Sequence, residues 1–299
     1  MNIGIIGAGS IGLLFGAYLG VHHKVTMFTK TIKQADMLKT EGINLHTNGM
    51  VKSIRVNALP TENENKFNQY SVVIVSVKQY HLPTIIPLLQ FIPKHVTLLF
   101  VQNGMGHIDL LRNLSHHNIM VGVVEHGALK LNDITVKHTG IGLTKISNFK
   151  GNTSANEFVT NCSTSDFTIQ AIEDWNSMLL TKLVINSMIN PLSALLRVEN
   201  GQLVSNPHFY QIFKELFQEI ICLLKPNHPQ QLWESVQSIC EKTARNRSSM
   251  LRDVEQNKDT EIEGILGYYR NLPDFSTTHT PILDFLYQAI KGIEEGRGR

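Results

Sequence analysis

An α/β domain followed by an all-helical one is what this sequence predicts, on three observations. In the first half, short apolar runs alternate with amphipathic stretches of helical length, the pattern of βαβ units feeding a mainly parallel sheet. A glycine-rich turn stands directly between the first such run and the first helix. From Trp175 onward the apolar residues recur at helical spacing up to the C-terminal segment.

The candidate strands are Asn2 to Ile6, Lys24 to Phe28, Val72 to Val77, Val96 to Val101 and Ile119 to Val124. Several are unbroken runs of Val, Ile and Leu, as required where helices cover both faces of a sheet. After about Lys150 the composition turns polar: Gly151 to Asp166 is rich in Asn, Ser and Thr, with one further strand expected at Phe167 to Ile172. The domain boundary therefore falls between residues 1–172 and 173–299. Helices are expected at Met178 to Leu196, Phe209 to Leu224, Trp233 to Thr243, Thr260 to Tyr269 and Pro281 to Ile293.

Composition narrows the functions. A chain of 299 residues, 42% hydrophobic, can bury a substantial core. The net charge is only +2 and the charges are scattered, so there is no basic stripe for phosphate backbones and nucleic acid is excluded as a partner. Cys162, Cys222 and Cys240 have neither metal-ligand nor redox spacing and read as reduced packing residues of a cytosolic protein. The chain enters a strand pattern at once, with no basic leader, and no uninterrupted apolar run nears the roughly 18 residues of a membrane span. A cytoplasmic protein away from membranes is expected; a homodimer is compatible with the sequence but is not read from it.

Gly7-Ala8-Gly9-Ser10-Ile11-Gly12 lies between the first strand and the first helix. The first glycine permits a tight turn, the second lets backbone approach a pyrophosphate, and the third lets helix and strand pack closely. The orphan N–H groups of the helix then face the anion. These features predict a Rossmann-type, doubly wound dinucleotide-binding domain. About 20 residues on, where an NAD-preferring site carries an acid, the strand ends Phe28-Thr29-Lys30-Thr31. Lys30 would attract a 2′-phosphate, which favours NADP(H). Lys78 and Asn103 follow apolar runs at the carboxyl ends of two further strands, where ligands of such sheets lie. They are expected to contact cofactor or substrate, and Gly104 and Gly106 leave room beside Asn103.

Lys182, Asn186 and Asn190 recur every four residues in an otherwise apolar helix, so they share one face. Burying an ammonium and two amides without partners costs several kcal/mol in total, about 1 to 3 for each amide alone. Something polar must meet that face. Reduction of a carbonyl supplies a reason: the oxygen needs a proton donor, and the substrate needs hydrogen-bond partners. Lys182 can be the acid, while the amides can bind a hydroxyl and a carboxylate. Pro191 follows Asn190, so a kink is expected there. In the stretch Asn246 to Met250, Ser249 reads equally well as a helix cap or a carboxylate ligand. Glu261, at a helix start, is locally explained by the helix dipole alone.

With these residues in view, the sequence resembles the ketopantoate reductase family over nearly its whole length. The resemblance is carried by Gly7 to Gly12, Ser76-Val77-Lys78, Asn103 to Gly106, Glu125 to Ala128, Lys182 to Pro191, Glu199-Asn200-Gly201, Asn246 to Leu251 and Thr260-Glu261. It implies a Rossmann domain joined to a helical domain, with the active site in the cleft between them. It further implies NADPH as reductant and ketopantoate, a small 2-oxo acid, as substrate. By matching motif, Lys182 is the general acid, Asn186, Asn190, Asn200 and Ser249 bind the oxo acid, and Asn103 touches both ligands. Lys78, Ala128 and Glu261 contact the cofactor. Two positions depart from the pattern: Lys30 stands where some members have arginine, losing the bidentate fork, and Leu180 where tryptophan is common. Two rivals are another NADP-dependent 2-oxo acid or β-hydroxy acid dehydrogenase, and an NADPH-binding sensor without turnover; the intact Lys182 speaks against the sensor.

Overall fold

The computed structural model describes residues 1–61, 64–152 and 154–296; Thr153, in the polar stretch, and the last three residues lie outside it. The chain divides into two compact units, Met1–Gln102 with Asp109–Met178, and Asn103–Ile108 with Leu179–Arg299. The first half runs β1 (Asn2–Ile6), α1 (Ser10–Leu19), β2 (Lys24–Thr29), α2 (Ile32–Glu41), β3 (Ile43–Thr47), β4 (Met50–Ile54), β5 (Asn57–Pro60), β6 (Val72–Val75), α3 (Leu82–Leu89), β7 (Thr97–Phe100), α4 (Ile108–Arg112) and β8 (Ile119–Val124). It continues with β9 (Gly127–Lys130), β10 (Thr135–Gly140), β11 (Thr144–Lys150), α5 (Ser154–Cys162) and β12 (Ile169–Ala171). Helices follow: α6 (Trp175–Leu196), α7 (Gln202–Ser205), α8 (Pro207–Leu224), α9 (Pro229–Lys242), α10 (Ser249–Glu255), α11 (Ile262–Arg270) and α12 (Pro281–Glu295).

The main sheet has the order β12-β11-β8-β7-β6-β1-β2-β5 and is parallel throughout except for the β8–β11 pair. Every residue of β6 and β7 is buried, which is why β6 is all Val and Ile and β7 is apolar after Thr97. A second sheet, β4-β3-β10-β9, was not expected. Its signal was Asn48-Gly49, both at positive φ, the dipeptide of a tight hairpin turn joining β3 to β4.

Helix α1 touches β1 and β2 of the main sheet and β3, β9 and β10 of the second. That double coverage explains why it is apolar nearly all round. Gly16 makes the fit, since a Cβ there would stand 2.7 Å from Met27 Sδ and 2.8 Å from Ile43 Cδ1. Behind α1, Phe167 is stacked between the rings of Tyr18 and His126, with centroids 4.7 and 4.6 Å away. A polar chain crosses this cluster. The Gly142 N–H donates to His126 Nδ1 at 3.3 Å, so that nitrogen carries no proton. His138 Nε2–H then donates to it at 3.1 Å, and His138 Nδ1 accepts from the Tyr18 hydroxyl at 2.7 Å. Both imidazoles are neutral in this arrangement. Burial lowers the pKa of each, and with the neighbouring His138 it takes His126 to about 4.

The polar stretch after Lys150 contains a helix not expected from the sequence, α5, whose Ala155, Phe158 and Cys162 are buried. Helix α6 begins at Trp175, its first turn capped by Asp174 Oδ1, which accepts from the Asn176 and Ser177 amides at 2.9 and 3.1 Å. Pro191 lies inside one continuous element, so the helix runs through it as far as Leu196. This helix is long and apolar enough to cross a membrane, yet 67% of its most apolar window is buried within the protein, as in a core helix. In the helical unit, Glu219 of α8 is buried and accepts from the Ile282 and Leu283 amides at 2.9 and 2.8 Å, so a carboxylate closes the N-terminus of α12. Of the cysteines, Cys162 and Cys240 are packing residues whose thiols burial pushes up to about 12; Cys222 is exposed, which corrects its reading as core.

His107 is fully buried with no partner for either ring nitrogen among the described residues, and burial lowers it to about 4. Histidines of an unfolded chain titrate near 6.5, so the unfolded state binds more protons between about 6.5 and 4. Stability is therefore expected to be full above that window and to fall as the pH drops through it. Thermal unfolding followed from pH 7.5 to 4.5 checks this, and His126→Phe, which can still stack on Phe167, should give a shallower decline. An unchanged slope would assign the loss to other groups.

Candidate active site

The α/β unit offers a cradle at the carboxyl end of β1. Gly7 has φ +103°, and its N–H donates to the Phe28 carbonyl at 2.9 Å. A Cβ on Gly12 would fall onto the Gly7 carbonyl oxygen and 2.6 Å from Ser76 Oγ, so only glycine lets α1 start this close to the strand. A Cβ on Gly9 would meet nothing within 4 Å. Gly9 caps α1 without any side-chain hydrogen bond, leaving the first-turn N–H groups facing that open space. These residues fit a dinucleotide pyrophosphate. Ala8 is buried, whereas Ser10 and Ile11 are half-buried on the first turn.

Three polar side chains, none given a role from the sequence, hold carbonyls at this end of the sheet. Ser76 Oγ lies 2.9 Å from the Gly7 oxygen and 3.1 Å from that of Ile6. Gln34 Nε2 donates to Ala8 and Asp133. Gln102 Nε2 donates to Val75 at 2.8 Å and Val77 at 3.0 Å. Lys30 is exposed one residue beyond β2, beside the Thr31 hydroxyl that caps α2 by accepting from the Gln34 amide at 3.2 Å. Lys78 is half-buried and starts a short 3-10 turn beyond β6. Ala128 lies in β9 opposite His138 and packs on the core.

Asn103 belongs with the helical unit. Its Nδ2 donates to Glu261 Oε2 at 2.9 Å, across 158 residues of sequence. Gly104, at φ +79°, follows because a Cβ there would strike the Gly264 carbonyl of α11. Glu261 is thus a partner for Asn103 as well as the residue before α11.

On α6, Lys182 is half-buried and Asn186 and Asn190 are each 7% exposed, so the face they share is not a solvent face. Asn190 Nδ2 approaches Ser249 Oγ at 3.5 Å, a long contact. Of the two serines, Ser248 is the cap of α10, accepting from the Leu251 amide at 3.1 Å, and lies 2.7 Å from Ser193 Oγ of α6, while Ser249 is exposed. Asn200 donates instead to Thr243 Oγ1 at 2.9 Å, and its buried Oδ1 has no partner among the described residues. The structure therefore brings Asn103 to Glu261 and Asn190 to Ser249, and ties Asn200 to α9.

An α/β unit with an open glycine cradle, ahead of helices that carry a lysine on a buried amide face, defines a nucleotide-dependent oxidoreductase. Comparison with known proteins is more particular. The model of the family "Ketopantoate reductase PanE/ApbA" matches residues 3–151, and that of its C-terminal domain matches residues 174–294. The 2-dehydropantoate 2-reductase of Bacillus subtilis (strain 168) is 38% identical over 301 residues, covering 100% of this chain and 99% of the relative. That of Listeria innocua is 38% identical over 300 residues, covering 99% and 98%. A crystal structure described as a probable 2-dehydropantoate 2-reductase from Bacillus subtilis superposes with a TM-score of 0.89 at 39% identity, covering 98% of this chain and 100% of that one. The chain belongs to the ketopantoate reductase family. It is an oxidoreductase that acts on a small molecule with a nicotinamide cofactor.

The Asn103–Glu261 bond joins a partly exposed amide to a buried carboxylate. A double-mutant cycle of Asn103→Ala and Glu261→Ala, read by urea unfolding, is expected to give a coupling of about 1 to 2 kcal/mol. A coupling of zero would leave the loop held by Gly104 and its neighbours alone.

Proposed function

We propose that this protein reduces 2-dehydropantoate (ketopantoate) to pantoate with NADPH, a step in making pantothenate and hence coenzyme A. Residues 1–172 serve as the cofactor domain and 173–299 as the catalytic domain of a cytoplasmic enzyme. The observation that carries the reading is the α6 face: a lysine and two asparagines four apart, the amides almost wholly withdrawn from water. In a family whose members reduce an oxo acid, that face has a use for each group.

When bound, the nicotinamide supplies the hydride. The residues of this chain do the rest. As C2 of the oxo acid is reduced, negative charge grows on its oxygen, and Lys182 delivers the proton from its Nζ. Amides can both donate and accept, so Asn186 and Asn190 suit the hydroxyl and the carboxylate, with Ser249 beside Asn190 and Asn200 offering a buried oxygen. On the cofactor side, Gly7 to Gly12 take the pyrophosphate, Lys78, Asn103, Ala128 and Glu261 line the remainder, and Lys30 with the capped start of α2 receives the 2′-phosphate.

Lys182→Ala is expected to lower kcat by about 10² to 10⁴, the range for loss of a general acid, with NADPH affinity nearly unchanged. Turnover of ketopantoate at the parental rate would refute the assignment. Pyruvate, 2-oxoisovalerate and acetolactate, assayed beside ketopantoate, separate this reading from a broader 2-oxo acid reductase. Lys30→Ala should weaken NADPH and leave NADH almost untouched; equal losses with both would remove the 2′-phosphate role.

A further inference from the structure

Gln34 has the sequence setting of an ordinary surface residue, in the first turn of α2 with Lys33 before it and Asp36 two residues on. The structure buries it to 7% exposure. Its amide nitrogen has two protons and gives both away: one to the Ala8 carbonyl at 3.0 Å, the other to the Asp133 carbonyl at 2.8 Å. The second acceptor sits in a turn that is itself fixed, because the Ile134 amide donates to Asn132 Oδ1 at 3.0 Å and the Asp133 carboxylate pairs with Lys130 at 2.9 Å. Gln34 thereby joins three segments far apart in sequence: the first turn of α2, the glycine turn, and the turn between β9 and β10.

The Ala8 carbonyl matters for what lies across its peptide bond. That bond is planar and trans, so its C=O and the N–H of Gly9 point in opposite directions. Holding the carbonyl on Gln34 aims the Gly9 N–H the opposite way, and Gly9 itself is exposed, with nothing within 4 Å of where a Cβ would stand. We infer that Gln34 is a positioning residue for cofactor binding, which orients the Gly9 N–H toward the pyrophosphate by clamping the Ala8 carbonyl. The inference rests on the dinucleotide reading of the glycine turn but not on the choice of NADPH over NADH, since the pyrophosphate is common to both.

The test is the affinity of the full chain for NADPH and for NADH, each titrated by reduced-nicotinamide fluorescence without substrate. Gln34→Met keeps the length and removes both donors. It should raise Kd about tenfold for both nucleotides, the equivalent of about 1.4 kcal/mol, with kcat at saturating cofactor within about twofold of the parent, a loosened anion site being made up by ligand concentration. Gln34→Glu keeps the outline but turns an acceptor toward two carbonyls, and should raise Kd further; it serves equally if the methionine variant does not fold. Leu38→Ala, in the core side of the same helix, is the control for mere loosening: it should lower Tm at least as much and leave both Kd values in place. An unchanged Kd in both Gln34 variants, or an equal rise in Leu38→Ala, would overturn the inference. A rise confined to NADPH would overturn it too, because it would mark Gln34 as part of the 2′-phosphate site. A parent chain that binds both nucleotides equally removes the Lys30 assignment and leaves the Gln34 comparison standing.

Discussion

The start of α1 is placed by a steric requirement that no other residue can meet: the helix must begin against the Gly7 carbonyl and run between two sheets. Gly12 and Gly16 are the positions where a single methyl group would collide, the first with the turn and the second with Met27 and Ile43. Because the helix sits so close to β1, its free N–H groups open at the carboxyl end of the parallel sheet rather than over the sheet's face. Ser76 and Gln34 then fix the carbonyls of the turn, so the backbone dipoles there are set before any ligand arrives. Preorganised donors of this kind need no rearrangement at the moment of binding.

The helical unit solves a different problem, how to keep polar groups inside an apolar helix. Ser187 and Ser193 of α6 turn their hydroxyls back on carbonyls or onto Ser248, which satisfies them within the unit. Asn186 and Asn190 are buried on the same helix, and among the described residues the Asn190 side chain makes just the long contact to Ser249. Buried amides held short of full satisfaction are costly to stability and useful to a ligand.

Much of this was legible beforehand. Several of the parallel strands follow from runs rich in Val, Ile and Leu, and the Lys182, Asn186, Asn190 face follows from a four-residue spacing. What escaped depends on partners distant in sequence. Gln34 is anonymous until Ala8 and Asp133 are beside it, and Glu261 looks like a dipole effect until Asn103 is found on its carboxylate. Two misses were local and readable: the Asn48-Gly49 hairpin, hidden because β4 is nearly all exposed, and α5, whose apolar residues at 155, 158, 159 and 162 keep a helical period inside a polar composition. Local pattern alone does not say which of serines 248 and 249 caps α10, since either residue satisfies the capping pattern and the geometry at Leu251 decides.

The unequal surroundings of the sulfur atoms have a practical outcome. Two thiols are sealed in the interior and stay protonated far above neutral pH, whereas the third, on α8, opens to water. Maleimide chemistry at pH 7 would therefore attach one dye per molecule, at Cys222, in the helical unit. The native chain is already suited to single-site fluorescent labelling without engineering.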